Sequence, residues 1–193
     1  MHVFSHVFRR WILPVVLGLL TADLCSAAPG PSIWHIEWDA KKIIAPAKKQ
    51  AKNVRLTAED NAVVLEISPD SKAAGFELFP EFEVELRRGE QVTLVVDIKG
   101  ENIVPLDFDH KEPVVVVAAF PDEKGNLHAA QTPEGTFDWQ SVQITGTIPS
   151  RGKLRIDFGI RRGSGKLWVR DPRLLYQIRY PFGRFGFGGQ IAI

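Results

Sequence analysis

Gln91-Val-Thr-Leu-Val-Val-Asp-Ile-Lys99 sets the period that the rest of the chain follows. Val92, Leu94, Val96 and Ile98 occupy every second position, and Gln91, Thr93, Val95, Asp97 and Lys99 fill the gaps. An extended backbone sends successive side chains to opposite faces, so this segment has one apolar and one mostly polar face. Leu154, Ile156, Phe158 and Ile160 alternate with Arg155, Asp157, Gly159 and Arg161 in the same way. Each aliphatic side chain contributes about 1.5–3 kcal/mol when buried. A slip by one residue would put the whole set in water, so both registers are firmly specified.

Outward from these two segments, further strands are expected over 33–38, 53–57, 62–67, 75–79, 82–86, 113–120, 139–148 and 166–177. Turn chemistry separates them: Ser68-Pro-Asp-Ser71, Arg88-Gly89, Lys99-Gly-Glu-Asn102, Pro121-Asp-Glu-Lys-Gly-Asn126, Thr132-Pro-Glu-Gly135 and Arg162-Gly-Ser-Gly165. Val114 to Ala119 is apolar on both faces, as expected of a central strand covered on each side. Helical spacing is hard to find, and no internal repeat or interior linker divides the chain. The expectation is an all-β fold, a two-sheet antiparallel β-sandwich.

The 193 residues, 45% of them apolar, hold enough core-forming material for one ordinary domain behind a leader. Arg9 and Arg10 precede the apolar run Trp11 to Leu20, and the small residues Ser26, Ala27 and Ala28 follow it. That order of charge, apolar stretch and small residues is the pattern of a signal peptide over 1–28. The run ends at Thr21 and Asp23, short of the roughly 20 residues that span a bilayer. Cys25, the single cysteine, would be the lipidated residue of a lipoprotein, but Asp23 and Leu24 stand where such sites have small residues. With cleavage after Ala27 or Ala28 the mature chain has no thiol, which excludes disulfides and Cys-based zinc sites. The sandwich is expected over 29–178, followed by a tail at 179–193 in which Gly and Phe take turns. The expected location is secreted or periplasmic, with no membrane attachment once the leader is removed.

Loss of Arg9, Arg10 and Asp23 takes the formal charge from +1 to zero, which does not resemble a nucleic-acid-binding balance. The basic run Lys41, Lys42, Lys48, Lys49 and Lys52 reads as a solvated linker or loop.

Three stretches in order resemble the jelly-roll carbohydrate-binding modules, the galactose-binding-like sandwiches often fused to secreted glycoside hydrolases. They are Phe82 to Gly100, Phe137-Asp-Trp-Gln-Ser-Val-Gln-Ile-Thr-Gly-Thr-Ile-Pro149, and Gly163-Ser-Gly-Lys-Leu-Trp-Val-Arg-Asp-Pro-Arg-Leu174. The resemblance covers roughly residues 53 to 178 and implies a non-catalytic domain that binds a polysaccharide or other glycan without a cofactor. It departs from the family pattern where two adjacent acids are usual, because here Arg170 precedes Asp171 and Pro172 follows. Some relatives hold calcium near that pair, and a guanidinium in its place argues against a metal here.

Glycoside cleavage needs two carboxylates facing each other across a cleft, and no pair stands out. Asp107, Asp109, His110 and Glu112 form the densest metal-type cluster, with a polar loop as the alternative reading. No Gly-x-Ser-x-Gly elbow, His-Glu-x-x-His helix or phosphate-binding glycine loop occurs, so no enzyme activity is expected. Sugar binding needs flat aromatic faces with hydrogen-bonding neighbours. Trp34 and Trp38 share one strand face with Ile36 and form either a binding stripe or an edge strand packed on the core. Trp139 and Trp168 stand at positions the resemblance marks as structural, and are expected in the core. Asp97, Lys99, Arg155 and Asp157, with Gln91, Thr93, Gln143 and Thr145, would line one exposed face if their strands are neighbours. The alternatives to a carbohydrate-binding module are a structural or protein-interaction sandwich of the cell envelope and an accessory fragment of a glycoside hydrolase.

Overall fold

Alternating apolar positions become two sheets closing over one interior. The computed structural model describes residues 31–48, 54–70, 75–106 and 114–176. In chain order these form β1 (Ser32–His35), α1 (Ala40–Ala47), β2 (Arg55–Glu59), β3 (Ala62–Ile67), β4 (Gly75–Leu78), β5 (Glu81–Glu83), β6 (Gln91–Pro105), β7 (Val115–Pro121), β8 (Leu127–Ala129), β9 (Gly135–Thr147), β10 (Lys153–Arg161) and β11 (Gly163–Tyr176). One sheet runs β2-β3-β11-β6-β9, with β1 on the far end of β11; the other runs β4-β10-β7-β8, with β5 sharing the β10 edge. Every pairing is antiparallel. The chain is an all-β, two-sheet antiparallel sandwich.

The inward sets are those the period marks. Leu94 and Ile98 of β6 and Leu154, Ile156, Phe158 and Ile160 of β10 are fully buried in one cluster shared by both sheets. β7 lies between β10 and β8 and is buried on both faces, which explains its unbroken apolar run. Asp60 and Asn61, both with positive φ, make the two-residue turn that joins β2 to β3.

Three features differ from the sequence reading. Lys41 and Lys42 lie in α1 rather than in a loop, because Asp39 caps the helix by accepting from the N–H groups of both, and Ala40 and Ile44 bury against the core. Asn61 ties α1 to the hairpin: its amide donates to the Trp38 carbonyl and its Oδ1 accepts from Ala40 N–H. The Lys99 to Asn102 stretch is not a turn, since β6 runs through it to Pro105 with irregularities at Gly100. A Cβ on Gly100 would lie 2.3 Å from the Phe137 ring, so the glycine marks a close approach rather than a reversal. The short strand β8 follows the Pro121 to Asn126 turn and has too few residues to show a period. The leader, Lys49, Lys52, the cluster from Asp107 to Glu112 and the Gly/Phe tail lie outside the described residues.

Among the described residues no helix is long and apolar enough to cross a membrane.

The tightest strand approach is at Gly159, where an added Cβ would sit 2.2 Å from the Phe76 carbonyl oxygen and 2.7 Å from Glu77 Cα. Backbone cannot yield as a side chain does. Gly159→Ala is therefore expected to push β4 off β10 and to cost about 1–3 kcal/mol, read as a lower urea midpoint; an unchanged midpoint would contradict the packing described.

Candidate functional site

Among the described residues, two places that combine aromatic rings with polar side chains are positioned by the ladder between β6, β9 and β11. The first is a groove of about 670 Å³ across one end of the six-stranded sheet. β1 supplies Trp34, the segment before β6 supplies Glu85, Arg87 and Glu90, and the end of β11 supplies Tyr176. Gln91 and Thr93 on β6 and Thr145 on β9 complete the polar lining, and Thr93 and Thr145 share a hydroxyl hydrogen bond of 3.0 Å. Leu86 and Val92 are buried beneath.

Trp34 and Tyr176 are half-buried and pack against the edge of the core. Among the described residues neither the Trp34 indole N–H nor the Tyr176 hydroxyl has a hydrogen-bond partner. Buried rings of these types usually find one. Two amphipathic rings with uncommitted polar edges, beside Gln91 and Glu85, suit a ligand that has both apolar faces and hydroxyls. Of the two groove carboxylates, Glu90 is engaged in its own turn, accepting from Arg87 N–H at 3.1 Å.

The second place is the outer face of the same sheet. Trp168 pairs with Lys99 on one side and with Val64 on the other, on the side of the sheet opposite to the core positions Leu167 and Val169. With Ala62 and Val64 it forms a small buried cluster separate from the main core; Trp168 is buried there, as expected, and Trp139 packs against it half-buried. The parity of Leu167, Trp168 and Val169 carried that separation in the sequence. The Trp168 indole N–H donates to Glu59, and Lys166 and Lys99 lie 4.2 and 5.7 Å from its ring centroid. The Arg170 guanidinium carbon is 3.7 Å from the Trp139 ring centroid. Beside this cluster, Asp97 accepts from Ser141 Oγ and from Arg173, and Arg173 also reaches Asp171 at 2.8 Å. His35 stands 3.9 Å from Asp171.

The structure therefore brings Asp97 and Lys99 onto one face and separates them from the other candidates. Trp38 stacks on Phe82 at 5.8 Å and touches Phe158 at 5.6 Å, with its indole N–H donating to the Asn61 carbonyl. Trp34 and Trp38 thus end in different surroundings, one at the groove and one packed against the core. Arg155 and Asp157 lie on β10 in the five-stranded sheet and do not share a face with Asp97 and Lys99. There the Asp157 carboxylate is buried and takes a two-pronged bond from Arg155 at 2.6 and 2.8 Å, which raises the guanidinium pKa further. Among the described residues no group of three His, Cys, Asp or Glu side chains is placed to hold a metal ion.

The strand order and pairings define a two-sheet antiparallel β-sandwich. No family model matches the chain, and no curated protein does. Among solved structures it is similar to one described as "CBM4 structure and function", at 18% identity over 75% of this chain and 86% of that one, with a TM-score of 0.43. It is also similar to a family 29 carbohydrate-binding module, a mutant complexed with mannohexaose, at 11% identity, 76% and 81% coverage and a TM-score of 0.39. A second mutant of that module, complexed with cellulohexaose, gives 11%, 76% and 80%, and 0.39.

Two outcomes test this description. The hydrogen bond from Trp168, opposed by desolvation and aided by Lys166, holds the Glu59 carboxyl below the ordinary glutamate value. A depressed folded pKa gives stability that is present above about pH 4.3, the unfolded value, and is lost as pH falls through the folded one. The Trp168 indole N–H resonance should shift with a midpoint below the ordinary glutamate value, and the step should be absent in Glu59→Gln. In the other sheet, Arg155→Met leaves a buried carboxylate unpaired and should destabilise by about 1–3 kcal/mol, more than Arg155→Met combined with Asp157→Leu; urea unfolding of both variants measures the difference.

Proposed function

We propose that this chain is an exported, non-catalytic carbohydrate-binding domain that takes a glycan in the end groove. The observation that carries the reading is the pairing of Trp34 and Tyr176 with Gln91, Thr93, Thr145 and Glu85 in one concavity, the two rings having polar edges with no partner among the described residues. A pyranose has an apolar face for such rings and equatorial hydroxyls for such side chains. The three sequence stretches that resemble jelly-roll modules support the same reading. Export rests on the signal-peptide pattern over 1–28. The non-catalytic reading is supported by the engagement of Glu90 in its own turn, so that among the described residues Glu85 faces no second uncommitted carboxylate in the groove. A protein-interaction surface would call for one broad apolar patch. Among the described residues the exposed large apolar side chains are instead spread over β1 (Ile33), the residue after β4 (Phe79) and the end of β6 with the residue beyond it (Val104 and Leu106).

Affinity electrophoresis of the exported protein through gels of plant, algal and bacterial polysaccharides tests the proposal. At least one polymer should retard it. Trp34→Ala should weaken that retardation at least tenfold, or about 1.4 kcal/mol, and Tyr176→Phe by about three- to tenfold, the value of one hydroxyl hydrogen bond. Glu77→Gln on the opposite sheet should leave it unchanged. No retardation by any polymer would refute the groove reading, and release of reducing sugar would refute the non-catalytic one. The mass of the exported protein should correspond to a chain beginning just after Ala27 or Ala28.

A further inference from the structure

We propose that the outer face of the six-stranded sheet reads negative charge on the glycan, with Arg170 as the residue that contacts it. The inference rests on the carbohydrate reading above and adds a second contact surface and a ligand class to it.

Three guanidinium groups belong to this face, and they are not equivalent. Arg55 pairs with Glu66, and Arg173 pairs with both Asp97 and Asp171. Arg170 has no carboxylate partner among the described residues and lies instead on the Trp139 ring. Stacking uses the flat face of a guanidinium and leaves its in-plane N–H donors unspent. Those donors match the two oxygens of a carboxylate, or of a sulfate, in the bidentate manner.

The placement of Arg170 has a structural cause. Between Arg170 and Arg173 the ladder shifts register: Arg170 pairs with Asp97 and Arg173 with Val95, three steps on β11 against two on β6. Asp171 takes up the extra residue with a φ of 46°. Bulges of this kind re-aim side chains. This one keeps Arg170 and Arg173 on the same outer face, Arg173 occupied by acids and Arg170 laid on an indole.

The surroundings favour an anion over a neutral sugar at this spot. Arg170 covers the Trp139 face on which a neutral pyranose would stack. Lys166 and Lys99 sit close to the Trp168 ring. Their own partners, Glu59 and Asp138, are 3.6 Å away in each case, and the Asp138 side chain is 87% exposed. Such loose surface pairs contribute little and exchange readily for a ligand anion. The ligand class is a sugar polymer bearing carboxylate or sulfate groups.

The test is affinity electrophoresis of the whole protein in gels of polygalacturonate, of its fully methyl-esterified form, and of dextran sulfate, each with and without added salt. Retardation by polygalacturonate should drop at least tenfold on esterification, on Arg170→Gln, and on raising salt from about 0.05 to 0.5 M, over which the screening length shrinks severalfold. Arg170→Lys should retain part of it, because charge remains and the two-pronged geometry does not. Trp139→Ala should weaken it as well, since the guanidinium loses its platform. Arg170-dependent retardation by dextran sulfate alone would support the proposal with sulfate as the group read. Retardation by neutral polymers that needs Trp34 but is indifferent to esterification and to Arg170→Gln would overturn this inference and leave the groove reading intact. No retardation by charged or neutral polymers would overturn both.

Discussion

The long antiparallel ladder between β6 and β11 is the constraint on which everything else depends. It assigns an inside and an outside to the residues of the six-stranded sheet, and its neighbours β3 and β9 inherit that assignment by pairing. A one-residue slip would bring Trp168 and Lys99 inward and expose Leu167 and Ile98, exchanging apolar burial for desolvated charge. The core, the groove at the strand ends and the face bearing Trp139 and Trp168 are three consequences of one register.

The ladder is not perfect, and its irregularities fall beside the chemistry. On β9 the pairing moves from Gln140 opposite Ile98 to Phe137 opposite Gly100, an extra residue that lets Phe137 turn inward while Trp139 joins Trp168 outside. Glycine at position 100 is required because the Phe137 ring fills the space of a side chain. On β11 the bulge at Asp171 changes the parity once more, so that Leu174 returns to the core after two outward arginines. Bulges thus let one strand carry an apolar inner set and a cluster of aromatic and cationic side chains outside, without sacrificing either.

Electrostatics divide the two sheets. The five-stranded sheet closes its charges on themselves, Arg155 with Asp157 and Arg161 with Glu77. The six-stranded sheet keeps several of its pairs at longer range and leaves Arg170 on an indole. Short two-pronged pairs with a buried carboxylate stiffen a surface, whereas long, exposed ones exchange easily with a ligand. That contrast leaves the more readily exchanged charges on the six-stranded sheet.

Period-two alternation in Gln91 to Lys99 and in Leu154 to Arg161 was enough to determine an all-β sandwich and its core, because side-chain direction along an extended backbone follows from local geometry alone. The same rule marked Asp97 and Lys99 as outward. The sequence did not show α1, a helix of eight residues fixed by the Asp39 cap and by Asn61 from a distant hairpin. Nor did it show which strands are neighbours, and therefore that Arg155 and Asp157 sit on the other sheet, that Trp34 and Tyr176 meet in one groove, or that Trp139 joins Trp168 across the ladder. Those facts depend on pairing between segments far apart in the chain and on bulges that shift parity by one residue, and a local period carries no information about either.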